Sequence, residues 1–150
     1  MVSTQDRDAA VLEVASRLRL AIARTARRLR QSAGTDLTAA LTAALATVEG
    51  RGPLTPSELA EAEHVKRPTA TRIVDRLQEQ GLVTRTPEPH DGRSFLVGIT
   101  PEGRALLRRL RTRKNAYLAK RLRELPPRDV AALERAAEVL ERLLETERRG

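Results

Sequence analysis

Arg67-Pro68-Thr69-Ala70-Thr71-Arg72-Ile73-Val74-Asp75-Arg76-Leu77-Gln78-Glu79-Gln80-Gly81-Leu82-Val83 decides how this chain is read. At about 100° per residue, Ala70, Ile73, Val74 and Leu77 gather on one side of a helix. Pro68, Arg72, Asp75, Arg76 and Glu79 fall on the opposite side, with Thr69 and Thr71 flanking. Gly81 stops this helix. The period then changes. Leu82-Val83-Thr84-Arg85-Thr86 reads as a strand, Pro87 to Arg93 is turn-rich, and Ser94 to Ile99 reads as the returning strand. The expectation is a two-stranded hairpin with a long polar tip.

Upstream, Thr55-Pro56-Ser57-Glu58 has the form of a capping box and opens a short helix to about Ala62. Before it, Leu37, Leu41, Leu45 and Val48 mark another short helix, capped by Asp36 or Thr38 and ended by Gly50-Arg51-Gly52-Pro53. Val11, Ala15, Leu18, Ile22, Ala26 and Leu29 recur at helical spacing from about Asp6 to Ser32, with Gly34 as the stop. Downstream, Thr100-Pro101-Glu102 begins a long basic helix that ends before Pro126-Pro127. A sixth helix carries Val130, Leu133, Ala137, Leu140 and Leu144. The predicted fold is mainly α, with six helices and a small β-hairpin wing.

Composition narrows the function. The 150 residues contain no Cys and no Trp, with Phe95 and Tyr117 the only aromatics. This excludes disulfide frameworks, thiolate-ligated metals and thiol switches. It also disfavours single-strand binding, which needs exposed aromatic platforms. No apolar run approaches the roughly 18–20 residues that span a bilayer, and the N-terminal residues show no signal-peptide core. A protein of the cytoplasm is expected.

The formal net charge of +8 is unevenly spread. Residues 1–34 carry +4, 35–65 carry −4, 66–114 carry +7, and 115–150 carry +1. A strongly basic central segment reads as a localised footprint for phosphate backbones. Arg outnumbers Lys by 25 to 3, a bias that a GC-rich genome produces by itself, so an arginine counts only once its position is known.

Two short helices at a tight turn, followed by a hairpin, make the winged helix-turn-helix pattern. An α-helix fits the major groove of B-DNA, and its N-terminal side chains reach base edges there. A hairpin can follow the backbone and place an arginine in the narrow minor groove. Arg72, on the outward face of the helix, is the leading candidate for the major groove.

Three blocks in order closely resemble the MarR family of bacterial transcription regulators. They are Gly52-Pro53-Leu54-Thr55 with Ser57-Glu58-Leu59-Ala60, then Arg67 to Leu77 with Gly81-Leu82-Val83, then Asp91-Gly92-Arg93-Ser94 with Ile99-Thr100-Pro101-Glu102-Gly103. The resemblance covers essentially the whole chain. It implies an interlocked, triangular homodimer built by the first, fifth and sixth helices, and therefore a pseudo-palindromic DNA site. The expected division is 1–34 for N-terminal dimerisation, 35–100 for DNA binding and 101–150 for C-terminal dimerisation.

The family pattern puts Arg67, Thr69, Thr71 and Arg72 at or near the major groove. Pro68 either contacts a thymine methyl or fixes the helix start. Arg93 matches the wing-tip arginine, and Asp91 is expected to hold that tip through an arginine or backbone amides. Lys66 departs from the family, where a capping Ser or similar residue is usual. The lost cap is worth about 1 kcal/mol, which a phosphate contact from the lysine can offset. Arg76 is balanced between a phosphate contact and a solvated face, Arg85 is expected at phosphate from a strand flank, and Glu61 and Glu63 are expected to face away. The resemblance further implies a repressor whose switch is a small anionic or phenolic effector, bound between the dimerisation helices and the reading head.

Competing readings are weaker. Thr55 and Glu58 are expected to be a structural cap. His64 and His90, without Cys, make a poor metal site, so neither metal nor cofactor is expected. Arg104, Arg108, Arg109, Arg111 and Arg113 read as a charged helix face, part of which could line the DNA flank or the effector cleft. No phosphate loop, Cys nucleophile or Ser–His pair supports catalysis. The alternative function is a non-specific architectural or ribosome-associated basic protein.

Overall fold

The computed structural model describes residues 1–148. Arg149 and Gly150, the end of the segment expected for C-terminal dimerisation, lie outside the described residues. The order is α1 (Thr4–Ala33), α2 (Ala39–Arg51), α3 (Pro56–Ala62), α4 (Arg67–Glu79), β1 (Val83–Glu88), β2 (Asp91–Ile99), α5 (Pro101–Arg123) and α6 (Pro127–Arg148). The chain divides into two compact units, the break falling inside α5 between Lys114 and Asn115.

Local hydrogen bonds explain where the helices begin and end. At α2 the Thr38 hydroxyl, not Asp36, provides the cap and accepts the Leu41 N–H at 3.2 Å. At α3 the predicted box forms in full. Thr55 Oγ1 accepts the Glu58 N–H and Glu58 Oε1 accepts the Thr55 N–H, each at 3.2 Å. The turn after α3 is closed by Val65 N–H to Ala60 O at 2.9 Å and His64 N–H to Glu61 O at 3.2 Å. His64 takes the left-handed position there, at φ 54°. The end of α4 repeats the arrangement with Gly81 at φ 71°, a conformation that glycine adopts without steric cost. Leu82 N–H bonds Leu77 O, and Gly81 N–H bonds Gln78 O, both at 2.9 Å.

One apolar cluster holds the helix-turn-helix and hairpin together. It joins Leu41, Leu45 and Val48 of α2, Leu59 of α3, and Ile73, Val74 and Leu77 of α4 to Val83, Val97 and Leu107. Each buried aliphatic side chain of this size contributes about 1.5–3 kcal/mol of transfer free energy. Leu54 extends the hairpin by exchanging two backbone hydrogen bonds with Val97, at 2.8 and 3.1 Å. The base of the hairpin is tied to α5 by Thr100, which donates its hydroxyl to Gly81 O at 2.6 Å and accepts the Gly103 N–H at 3.1 Å. Gly103 is required at this joint, because a Cβ there would collide with Leu82 O and Ile99.

The hairpin corrects one expectation. The long polar tip across 87–93 does not form, because the strands extend to a two-residue turn at Pro89-His90. Pairing runs from Val83↔Ile99 to Pro87↔Phe95, then shifts register and resumes at Glu88↔Asp91. Pro87 has no N–H for the ladder, so the pairing breaks beside it. Gly92, Arg93 and Ser94 fall in the irregular stretch of β2, the kind of bulge that re-aims a side chain.

The long helices are buried unevenly. In the stripe predicted for α1, Ala26 and Leu29 are half-buried, whereas Val11, Leu18 and Ile22 are exposed. Along α6 no residue is buried, and Leu133 and Leu144 are 49% and 61% exposed. Arg113 donates to Ala33 O at 2.8 Å, and Arg111 pairs with Glu49 at 2.8 Å, which ties α5 to the end of α1 and to α2.

Candidate nucleic-acid interface

The surface of α4 is set by its buried stripe. Ala70, Ile73, Val74 and Leu77 are buried, the four residues that the periodicity puts on one face. Their burial turns Arg67, Pro68, Thr69, Arg72 and Arg76 outward, all exposed, while Thr71 is half-buried. The Thr71 hydroxyl donates to Arg67 O at 3.1 Å and is thus anchored on the helix. Lys66 occupies the cap position and makes no side-chain cap, matching the loss expected from the sequence. Its carbonyl accepts the Thr69 and Ala70 N–H groups at 3.0 and 3.1 Å, and Pro68 brings no N–H to satisfy. The first turn therefore needs little from the missing cap.

On the wing, Asp91 Oδ1 accepts the Arg93 N–H at 3.0 Å, so Asp91 holds the tip through a backbone amide. Arg93 is exposed beside it. Among the described residues, Arg67, Arg72, Arg76 and Arg93 have no carboxylate partner. The helix and the wing thus present four uncommitted guanidinium groups, suited to phosphate oxygens or to the acceptors of guanine.

Arg85 differs from all four. Expected at phosphate, it is instead engaged inside the fold: it pairs with Asp75 of α4 and lies over the Phe95 ring of β2, 4.5 Å from its centroid. Its side chain is 28% exposed, and its Nε is buried without a partner. Sequence reasoning missed this trio. The available signals were a lone aspartate among the outward arginines of the helix, and the only Phe of the chain on the returning strand.

The remaining polar residues also find places. Glu63 accepts a hydrogen bond from the Thr47 hydroxyl of α2, while Glu61 is exposed. His64 is the left-handed residue of the helix-turn-helix turn, and His90 lies exposed in the hairpin turn. Among the described residues, no three His, Asp or Glu side chains gather as metal ligands.

A three-helix core, an outward basic helix and a paired hairpin beside it define a winged helix-turn-helix protein. Residues 37–95 match the MarR family. An HTH-type transcriptional regulator of Mycobacterium tuberculosis is 34% identical, over 85% of this chain and 90% of its own length. The multiple antibiotic resistance protein MarR of Salmonella typhimurium is 35% identical, over 66% of this chain and 69% of its own. Among solved structures, a transcriptional regulator from Pseudomonas aeruginosa superposes with a TM-score of 0.81 at 28% identity, covering 95% of this chain and 97% of its own. A mutant MarR from Escherichia coli, complexed with operator DNA, gives 0.65 at 26% identity, over 87% and 95%. The chain belongs to the MarR family of transcriptional regulators, whose members regulate rather than catalyse.

Proposed function

We propose that this chain is a repressor that binds a pseudo-palindromic duplex operator as a homodimer and is released by a small anionic or phenolic effector. The observation that carries the reading is the set of four unpaired arginines, Arg67, Arg72 and Arg76 on α4 and Arg93 on the wing. In this reading the N-terminal part of α4 enters the major groove, with Thr69, Thr71 and Pro68 beside the bases. Arg72 takes the O6 and N7 acceptors of a guanine, an arrangement its planar fork fits. Lys66, Arg67 and Arg76 meet phosphates, and Arg93, held by Asp91, enters the minor groove. Arg85 acts from behind this surface.

Residues 1–34 and 101–150 supply dimerisation, and 35–100 read DNA. The exposed Val11, Leu18 and Ile22 of α1 and Leu133 and Leu144 of α6 support this division, since such surface is ordinarily covered. Two heads related by a twofold axis require half-sites about one helical turn apart. Repression follows from occupying the promoter. The dimer works in the cytoplasm, on the nucleoid when bound; among the described residues no helix is long and apolar enough to cross a membrane.

The effector reading is supported by a cavity of about 440 Å³ where α1, α2 and α5 meet. Leu29, Ala43, Leu107 and Leu110 give it apolar walls, and Arg30, Arg111 and Lys114 give it positive charge. An anion bound there competes with Glu49 for Arg111, and so acts on a tie between α5 and α2.

Selection from random duplex DNA tests the function. The expected result is a pseudo-palindrome preferred about 10³-fold or more over unrelated duplex. A steep salt dependence with no sequence preference would make the chain a non-specific basic binder instead.

A further inference from the structure

The structure assigns Asp75, Arg85 and Phe95 a positioning role: they clamp the recognition helix to the wing, so that the major-groove and minor-groove readers move as one body. The inference rests on the DNA-binding reading above and concerns residues that need not touch DNA. Asp75 lies on α4 three positions after Arg72. Arg85 belongs to β1 and Phe95 to β2, so the contact joins the helix to both strands of the wing. Phe95 is itself half-buried against the apolar core, which anchors the ring that supports the guanidinium.

The chemistry favours a clamp over a phosphate contact. A guanidinium has a planar face for an aromatic ring and an edge for a carboxylate, and Arg85 uses both. Its side chain is more enclosed than that of Asp75, at 28% against 48% exposure. A phosphate contact would need this group to leave its carboxylate and its ring together. Meanwhile Arg93 sits in a stretch of β2 where the pairing register shifts, between Phe95 and the two-residue turn. Regular pairing alone does not fix the wing tip, and the clamp closes on the last regular rungs below it. Holding Phe95 and Arg85 against α4 sets where Arg93 is delivered relative to Arg72.

Asp75→Asn gives a test in which the sign of the effect decides. The substitution removes a negative charge from the proposed interface and frees Arg85. If only charge mattered, the variant would bind all duplex DNA more tightly. The clamp requires the opposite at the selected site: affinity falls by about tenfold, while affinity for unrelated duplex stays equal or rises. It also requires coupling to the wing tip. Arg93→Ala should weaken specific binding about tenfold in the otherwise unaltered chain and no more than about threefold in the Asp75→Asn background. Arg85→Lys keeps the charge but loses the fork and the ring face, and should reproduce the loss of specific affinity. Should Asp75→Asn not fold, this second variant carries the test.

Amide hydrogen exchange, read without DNA, separates this inference from the function it rests on. The clamp predicts faster exchange in β1 and β2 of either variant, with the core amides of α2 and α4 unchanged. Unchanged exchange in the hairpin, or specific binding by Asp75→Asn as tight as before, would overturn the clamp. A chain that selects no site would overturn the DNA reading, while exchange would still decide whether the helix and the wing are mechanically joined.

Discussion

Between Leu37 and Leu107 the helices and hairpin bury a continuous apolar cluster, whereas along α6 no residue is buried and Leu133, Leu143 and Leu144 stand open. The two regions have similar apolar spacing in sequence and opposite fates in the folded chain. In the first, every stripe finds a neighbour in the same chain, and the outer face of α4 keeps Arg67, Arg72 and Arg76 exposed. In the second the stripe is intact and has nothing over it. In the function proposed above the difference separates two tasks: the head reads DNA with a core of its own, and the long helices await a second copy. A head with a continuous core of its own would leave the outer face of α4 free for DNA, as proposed.

The largest effect expected from this comparison is on stability. Leu77→Ala, in the head, should cost about 2–5 kcal/mol, since it opens a cavity among residues that cannot fully collapse. The same change at Leu144 should cost little in the isolated chain and should weaken self-association instead. Chemical denaturation at two protein concentrations checks both, because only the second variant should lose the concentration dependence of its midpoint. A head variant as mild as Leu144→Ala would mean that the core is misplaced.

Arg72→Ala comes next, with a loss of about 1–3 kcal/mol in specific binding and no change in folding. Titration against the selected duplex and against an unrelated one measures it. An equal loss on both would reduce Arg72 to a phosphate contact. The smallest effect is at Lys66. Lys66→Ser should supply a side-chain cap but raise stability by no more than about 0.5 kcal/mol, since Pro68 has no N–H and the Thr69 N–H already bonds Lys66 O, and thermal melting reads the change. Its DNA affinity should fall modestly, with a salt slope reduced by about one unit, if the lysine meets phosphate as proposed.

Much of this was legible in the sequence, and the misses share a cause. The stripe of Ala70, Ile73, Val74 and Leu77 could be read directly, because a 3.6-residue period encodes which face is buried. The Thr55–Glu58 box and the Gly81 stop were legible because they are hydrogen bonds between near neighbours. The extent of the hairpin was not, since turn-forming residues such as Pro87, Pro89 and Gly92 are equally compatible with a loose tip and with a bulged strand. Only pairing across Phe95 separates the two. The pairing of Arg85 with Asp75 and Phe95 is hidden from the sequence for a related reason. Its partners lie ten residues away in either direction, on a helix and on another strand, and no local pattern announces such a meeting. The apolar stripe of α6 was visible as a stripe, but sequence periodicity says that a face is apolar and not which chain covers it.

A head with its own core and an open set of helices would make, as proposed, a protein that reads DNA in pairs. Sedimentation of the chain on its selected duplex tests it most directly. Two chains per duplex are expected, bound together without a stable one-chain complex, on half-sites about one helical turn apart. A single chain bound tightly and specifically to one half-site, with no second copy recruited, would contradict it.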